Sequence, residues 1–355
     1  LAAIRGYDLV HTLDFLFGRM KLLVTLALTF FLTAMVQAVP PIARGLTILR
    51  GLNLSGLELN PGASPGRPNT DYVAPTDAEF EALGHDGFTV VRVPALWERL
   101  QPALGGKLDA SALDLLRHII ATAHANGLRV IIDIHDYGRY RGALIGSAQV
   151  PVAQFAAFWA AMARAFAADP QVLFGLMNEP HDIDARRWAQ AEQAAIDAIR
   201  AAHARNLILV SGSGWDGAHN FVSGAGYGTP NAVALATLHD PNRDMAVEMH
   251  EYLDRDFSGT HPDCTTGADA VRIMHPATDW LRQHHWRGFL GEIGASAQPR
   301  CLETLRHVLD YVDRNPGAWL GWAYWAAGPW WGNYMFSAEP NRARPQLQVL
   351  KSLLH

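Results

Sequence analysis

Eight short apolar runs recur along this chain, about one every 40 residues, the repeat expected of β/α units. They are Ile48–Leu54, Thr89–Pro94, Val130–Ile134, Val172–Asn178, Leu207–Ser211, Val247–His250, Phe289–Glu292 and Trp319–Trp325. The runs are continuous and not alternating, which suits parallel strands covered on both faces. Amphipathic helical text lies between them at Ala110–Asn126, Val152–Ala168, Arg186–Ala204, Ala268–His285 and Leu302–Asn315, rich in Ala with apolar spacings of three and four. After Gly214 the text turns Gly-rich and carries only a weak helix. Eight strand–helix units predict an α/β chain folded as a single TIM (β/α)8 barrel. A doubly wound open sheet is the alternative, but no Gly-rich phosphate loop follows the first run.

In such barrels the reactive groups sit at the C-terminal ends of the strands. Polar residues gather at those ends here: Asn53 and Glu58, Arg92, His135 and Asp136, Asn178 and Glu179, Trp215, His250 and Tyr252, Glu292 and Trp325. Two stretches stand out. Gly175-Leu176-Met177-Asn178-Glu179-Pro180 and Gly288-Phe289-Leu290-Gly291-Glu292 each present one glutamate where a buried strand stops. Two carboxylates facing one cleft are what acid/base glycoside hydrolysis requires. A strand-end Glu can instead cap a helix or pair with an Arg, and a lone His is more often structural than reactive.

The 355 residues, 49% hydrophobic and 18% charged, are enough for a large core and argue against disorder. The net charge of -5 is spread without blocks, so no nucleic-acid footprint is expected. Several of the 11 Trp residues adjoin Gly and Pro, where exposed indoles could stack on sugar rings. Trp97, Trp330 and Trp331 could equally serve packing; Trp215 is the best subsite candidate among these loop tryptophans. His219, His261, His284 and His285 read as ordinary surface or loop histidines.

Met20-Lys21, the apolar run Leu22 to Leu32 and Val36-Gln37-Ala38 form a secretory signal pattern. The expected division is an upstream segment plus signal over residues 1–38, with the signal at about 20–38, and a catalytic barrel over 39–355. A secreted protein, extracellular or periplasmic, follows, with no membrane association after signal cleavage. The two cysteines, Cys264 and Cys301, fit export and favour a disulfide between the loop after the sixth strand and the helix after the seventh. No metal is expected, because an H-x-H pair at a strand end is missing and Ile134-His135-Asp136 stands there instead.

These strand-end residues resemble those of glycoside hydrolase family 5, the former cellulase family A, over essentially the whole chain after residue 39. Pro94 to Pro102, His135-Asp136-Tyr137-Gly138-Arg139-Tyr140, Met249 to Asp254 and Tyr324 to Gly332 look like its endo-β-1,4-glucanase branch. The resemblance implies retaining hydrolysis of β-1,4-glucan by a secreted enzyme without metal or organic cofactor, and a monomer is expected. It implies Glu179 as acid/base and Glu292 as nucleophile, with Arg92, His135, Asn178, His250 and Tyr252 around them. Trp325 would floor the subsite next to the cleaved bond, with Trp215, Asp136, Tyr137, Glu58 and Trp330 as further substrate contacts. Arg92 and Tyr252 beside Glu292 are expected to lower its pKa.

Some positions depart from that pattern. Asp136 stands where Asn is usual, Ser213 and Asp216 replace Asn and Thr, and Asn220-Phe221 lacks a Trp. A β-mannanase or other β-glucan hydrolase of the same fold, a non-catalytic glucan-binding protein and a metal-dependent barrel hydrolase are the alternatives.

Overall fold

The computed structural model describes residues 48–354 apart from 225 and 227. The expected signal, within residues 1–38, lies outside the described residues. Eight strands close into a barrel: β1 (Leu49–Leu54), β2 (Val90–Ala95), β3 (Arg129–Ile134), β4 (Val172–Gly175), β5 (Ile208–Val210), β6 (Met245–His250), β7 (Gly288–Glu292) and β8 (Trp319–Ala327). Each is parallel to its neighbour, and β8 pairs with β1 to close the ring in sequence order. The expected (β/α)8 barrel is therefore the fold.

Each strand is followed by a helix: α1 (Asp77–Asp86), α2 (Ala110–Ala125), α3 (Val152–Phe166), α4 (Ala185–Ala201), α5 (Asn231–Ala234), α6 (Gly267–Gln283), α7 (Pro299–Asp313) and α8 (Pro345–Lys351). Their starts follow local chemistry. Thr76 and Glu79 form a capping box on α1, while Asp109, Asp184 and Thr266 accept from the first-turn amides of α2, α4 and α6. The helix α5 is a single turn, as its Gly-rich text foretold. A short hairpin, Arg139–Tyr140 with Ala143–Leu144, extends the loop after β3.

The barrel interior explains where the reactive end lies. Leu49, Val90, Ile131, Leu173, Leu209, Ala246, Phe289 and Leu320 fill the lower half as one apolar cluster. Each of these side chains other than Ala246 contributes roughly 1.5–3 kcal/mol on burial. Side chains on one face of a strand recur every second residue. Two residues beyond Val90, Ile131 and Ala246, the same face carries Arg92, Asp133 and Glu248, all buried. Two further on stand His135, the residue just past β3, and His250, the last of β6. The apolar plug is thus topped by a buried ionic layer, and that layer supports the strand ends. The second cluster, between barrel and helices, includes Phe155, Phe158, Trp159 and Trp188.

Candidate active site

Arg92 is the hub of the ionic layer and is fully enclosed. Its Nε lies 2.6 Å from Oε1 of Glu248, Nη2 lies 3.0 Å from Oδ1 of Asp133, and Nη1 lies 3.0 Å from Oε1 of Glu292. Nη1 also donates to Asn53 and Nη2 to Asn178, each at 2.8 Å. Burial works against the guanidinium charge, but these three carboxylates outweigh it and keep Arg92 cationic. Asn53 in turn donates through Nδ2 to the carbonyl of Gly291 at 2.9 Å, holding β7 one residue before Glu292. Gly291 is required there, since a Cβ would run into the carboxylate of Glu248.

Glu292 ends β7 and is 3% exposed. Besides Arg92, it accepts from the hydroxyl of Tyr252 at 2.6 Å. Its pKa is raised, contrary to the lowering expected from its neighbours. Desolvation is the largest effect, and Glu179 adds to it, while His250, Arg92 and His135 pull the other way. Tyr252, buried beside two carboxylates, is pushed well above its ordinary value and stays protonated to donate.

Glu179 follows β4 with φ of 45°, a left-handed conformation uncommon outside glycine. Its Oε1 lies 2.8 Å from Nδ1 of His250, which is also 3.7 Å from Oε2 of Glu292. One oxygen from each glutamate and one His250 nitrogen all lie within 4.8 Å of one another. Nε2 of His250 faces Glu248 at 3.4 Å. Burial alone would lower the His250 pKa; the carboxylates of Glu292, Glu179 and Glu248 raise it well above normal. His135 is arranged the same way, with Nδ1 2.8 Å from Asp133 and its own pKa raised against the pull of burial.

The aromatic candidates differ in placement. Trp325 is 9% exposed and stacks on His135 at 5.4 Å and 15°. Tyr137 meets the edge of His135 at 5.4 Å. Trp215, 44% exposed, stacks on His181 at 4.6 Å and 13°. Trp330 is exposed in the loop after β8, whereas Trp331 is half-buried and packs on Trp325 and Tyr334. Trp97 is wholly buried among Tyr140, Phe155 and Phe158.

Two of the expected substrate contacts are occupied elsewhere. Asp136 is buried, its Oδ2 takes the backbone N–H of Trp97 at 2.5 Å, and desolvation beside Glu98 raises its pKa well above normal. Glu58 accepts from the amide of Gly56 at 2.7 Å and from the Ser55 hydroxyl. Both carboxylates shape loops at the barrel rim.

Several residues of the site stand outside the strand-end pattern. Asp133 and Glu248 each stand two positions before a strand-end histidine, a charge inside an apolar run that period-two reading could have flagged. His219 was read as an ordinary loop residue. It instead lines a cavity of about 350 Å3 with Glu179, Trp215, Asn220, His250, Tyr252, Phe257 and Ser258. Its ring stacks on Phe257 at 4.2 Å, and its Nδ1 lies 3.1 Å from the buried Glu251.

Glu179, His250 and Glu292 could together offer three ligand atoms to a metal. Both oxygens of Glu292 are already bonded, one to the cation of Arg92, which disfavours a second cation there. Asp254, Asp256 and His261 form a second acidic group, but Asp254 accepts the backbone amides of Gly259, Thr260 and His261 and so shapes its own loop. Cys264 and Cys301 are joined in a disulfide between the loop after β6 and α7.

A family model described as cellulase (glycosyl hydrolase family 5) matches residues 49–328. Endo-beta-1,4-glucanase A of Emericella nidulans is 36% identical over 311 residues, spanning 87% of this chain and 92% of the relative. Among solved structures, an endo-beta-1,4-glucanase of Xanthomonas axonopodis pv. citri superposes with a TM-score of 0.84 at 44% identity, covering 86% of this chain and 98% of its own. XacCel5A in complex with cellopentaose gives a TM-score of 0.84 at 41% identity, covering 87% of this chain and 99% of its own.

Proposed function

The chain belongs to glycosyl hydrolase family 5, the cellulase family, and on that premise we propose that it is a secreted, retaining endo-β-1,4-glucanase. The observation that carries this reading is the close approach of Glu179 and Glu292, with one oxygen of each and a His250 nitrogen all within 4.8 Å. Retaining glycosidases keep their carboxyl groups about 5–5.5 Å apart, and inverting ones leave about 6.5–9.5 Å for a water.

Glu292, held by Arg92 and Tyr252, attacks the anomeric carbon. The bond to the leaving sugar breaks as Glu179 passes its proton to the departing oxygen. Glu179 then takes a proton from water, which attacks the same carbon and frees Glu292 with net retention. Asn178 suits the sugar 2-hydroxyl: Oδ1 is taken by Arg92, and Nδ2 has no partner among the described residues. The cavity bounded by Glu179, Trp215, His219 and Phe257 lies on the acid/base side and suits the leaving sugars. The Trp325 ring near His135 suits the face of the sugar held for attack.

Secretion is supported by the signal pattern before Val39 and by the Cys264–Cys301 bridge, a bond of oxidising compartments. Among the described residues, no helix is long and apolar enough to cross a membrane.

The test is hydrolysis of soluble carboxymethyl β-1,4-glucan beside β-mannan and xylan, with viscosity and reducing ends followed together. A fast viscosity drop on the glucan alone, abolished in Glu179→Gln and Glu292→Gln, is expected. Activity on mannan alone would overturn the substrate, and binding without turnover on all three would overturn the enzyme reading.

A further inference from the structure

We propose that Asp216 is the positioning residue for proton delivery by Glu179, a role that rests on the reading of Glu179 as the acid/base. Three residues from three strand ends close a ring. Oδ2 of Asp216 accepts the backbone N–H of Glu179 at 2.8 Å. The backbone carbonyl of Asp216 accepts the N–H of His250 at 2.8 Å. Nδ1 of His250 returns to Oε1 of Glu179 at 2.8 Å. Asp216 therefore holds both partners of the contact that orients the Glu179 carboxyl, one through its side chain and the other through its main chain.

The second oxygen is also used. Oδ1 accepts the amide of Gly212 at 2.6 Å, anchoring the carboxylate to the loop that leaves β5. Asp216 is 2% exposed, so water does not readily replace these bonds. Glu179 and Asp216 have φ of 45° and 56°, in the left-handed region. A residue other than glycine stays there only when its surroundings over-determine it. For Glu179 one such restraint is the bond to Asp216. Asparagine cannot supply it fully: two backbone N–H groups each need an acceptor, and an amide offers one oxygen and one NH2.

A general acid acts only when it sits within reach of the leaving oxygen, and a displacement of about 1 Å costs about a hundredfold. Asp216→Asn is therefore expected to lower kcat/KM on carboxymethyl glucan about tenfold to a hundredfold. On dinitrophenyl β-cellobioside the leaving phenolate needs no proton, so kcat/KM, which reports the step to the glycosyl-enzyme, should stay within about threefold. A residue that merely supports the fold would lower both alike.

The experiment compares Asp216→Asn, Asp216→Ser and Glu179→Gln with the unaltered protein on both substrates, after thermal melting confirms folding. The Ser variant, unbranched at Cβ, keeps one acceptor without charge and decides the matter if the Asn variant does not fold. A selective loss on the glucan, in the same sense as in Glu179→Gln, is expected. Equal loss on both substrates, or none on either, with Glu179→Gln still selective, overturns the role of Asp216 alone. If Glu179→Gln shows no selectivity, the acid/base reading falls first.

Discussion

Nη1 of Arg92 lies 3.0 Å from Oε1 of Glu292, although the two residues are 200 positions apart and both are buried. The same guanidinium also meets Glu248, Asp133, Asn53 and Asn178. A lysine has one compact charge and cannot reproduce that fork. Arg92→Lys should leave part of the acidic layer unpaired and Glu292 loosely held. We expect kcat on the glucan to fall at least about a hundredfold, with a destabilisation of about 3–5 kcal/mol by denaturant titration. Near-normal turnover would show that Glu292 is held without Arg92.

The acidic limb of kcat/KM should lie above pH 4.5, the ordinary value for Glu292. The sign follows from burial. Desolvation raises the pKa of the attacking carboxylate, so its ionised fraction is lost as pH falls through that raised value. A pH profile of kcat/KM checks this, and a limb below pH 4 would mean that His250 and Arg92 outweigh desolvation.

Stability should fall as pH rises through about 7, because desolvation and the nearby Glu339 raise the pKa of Glu79 to about 7. A raised carboxyl pKa contributes stability that is complete below its unfolded value and is lost above its folded one. Glu79 also closes the capping box of α1 by accepting the amide of Thr76 at 2.7 Å, a bond that glutamine can keep. Glu79→Gln should therefore flatten the dependence of Tm on pH between 5 and 8, by a few degrees at the alkaline end. An unchanged slope would place the titration elsewhere.

The Cys264–Cys301 bridge closes a loop with a separation of 37 residues. In the chain-entropy picture, opening such a loop costs about 3–4 kcal/mol. The double change Cys264→Ser with Cys301→Ser should lower Tm by about 5–10 °C. A shift under one degree would show that the surrounding packing, including Cys301 buried in α7, suffices without the bond.

Much of this protein was legible in its text for a local reason. A strand buried on both faces is apolar along most of its length, so β1 to β8 announce themselves without any tertiary information. The helix α1 was passed over because its apolar face is sparse, and Thr76 with Glu79 was the signal that could have found it. Asp133 and Glu248 escaped because a carboxylate inside a strand gains meaning only once Arg92 is known to meet it. His219 escaped because its neighbour Phe257 lies in another loop.

The barrel, the strand ends that carry its polar groups and the two glutamates that stand there are legible in the order of residues alone. What those groups experience depends on the closed fold. Asp136 and Glu58 proved to be bound to backbone amides, Asp216 proved to hold Glu179, and the Glu292 pKa moved up where its neighbours alone suggested down. The physical reason is range. Strand periodicity is a property of adjacent residues, whereas desolvation and charge depend on which side chains the closed barrel brings together from distant strands.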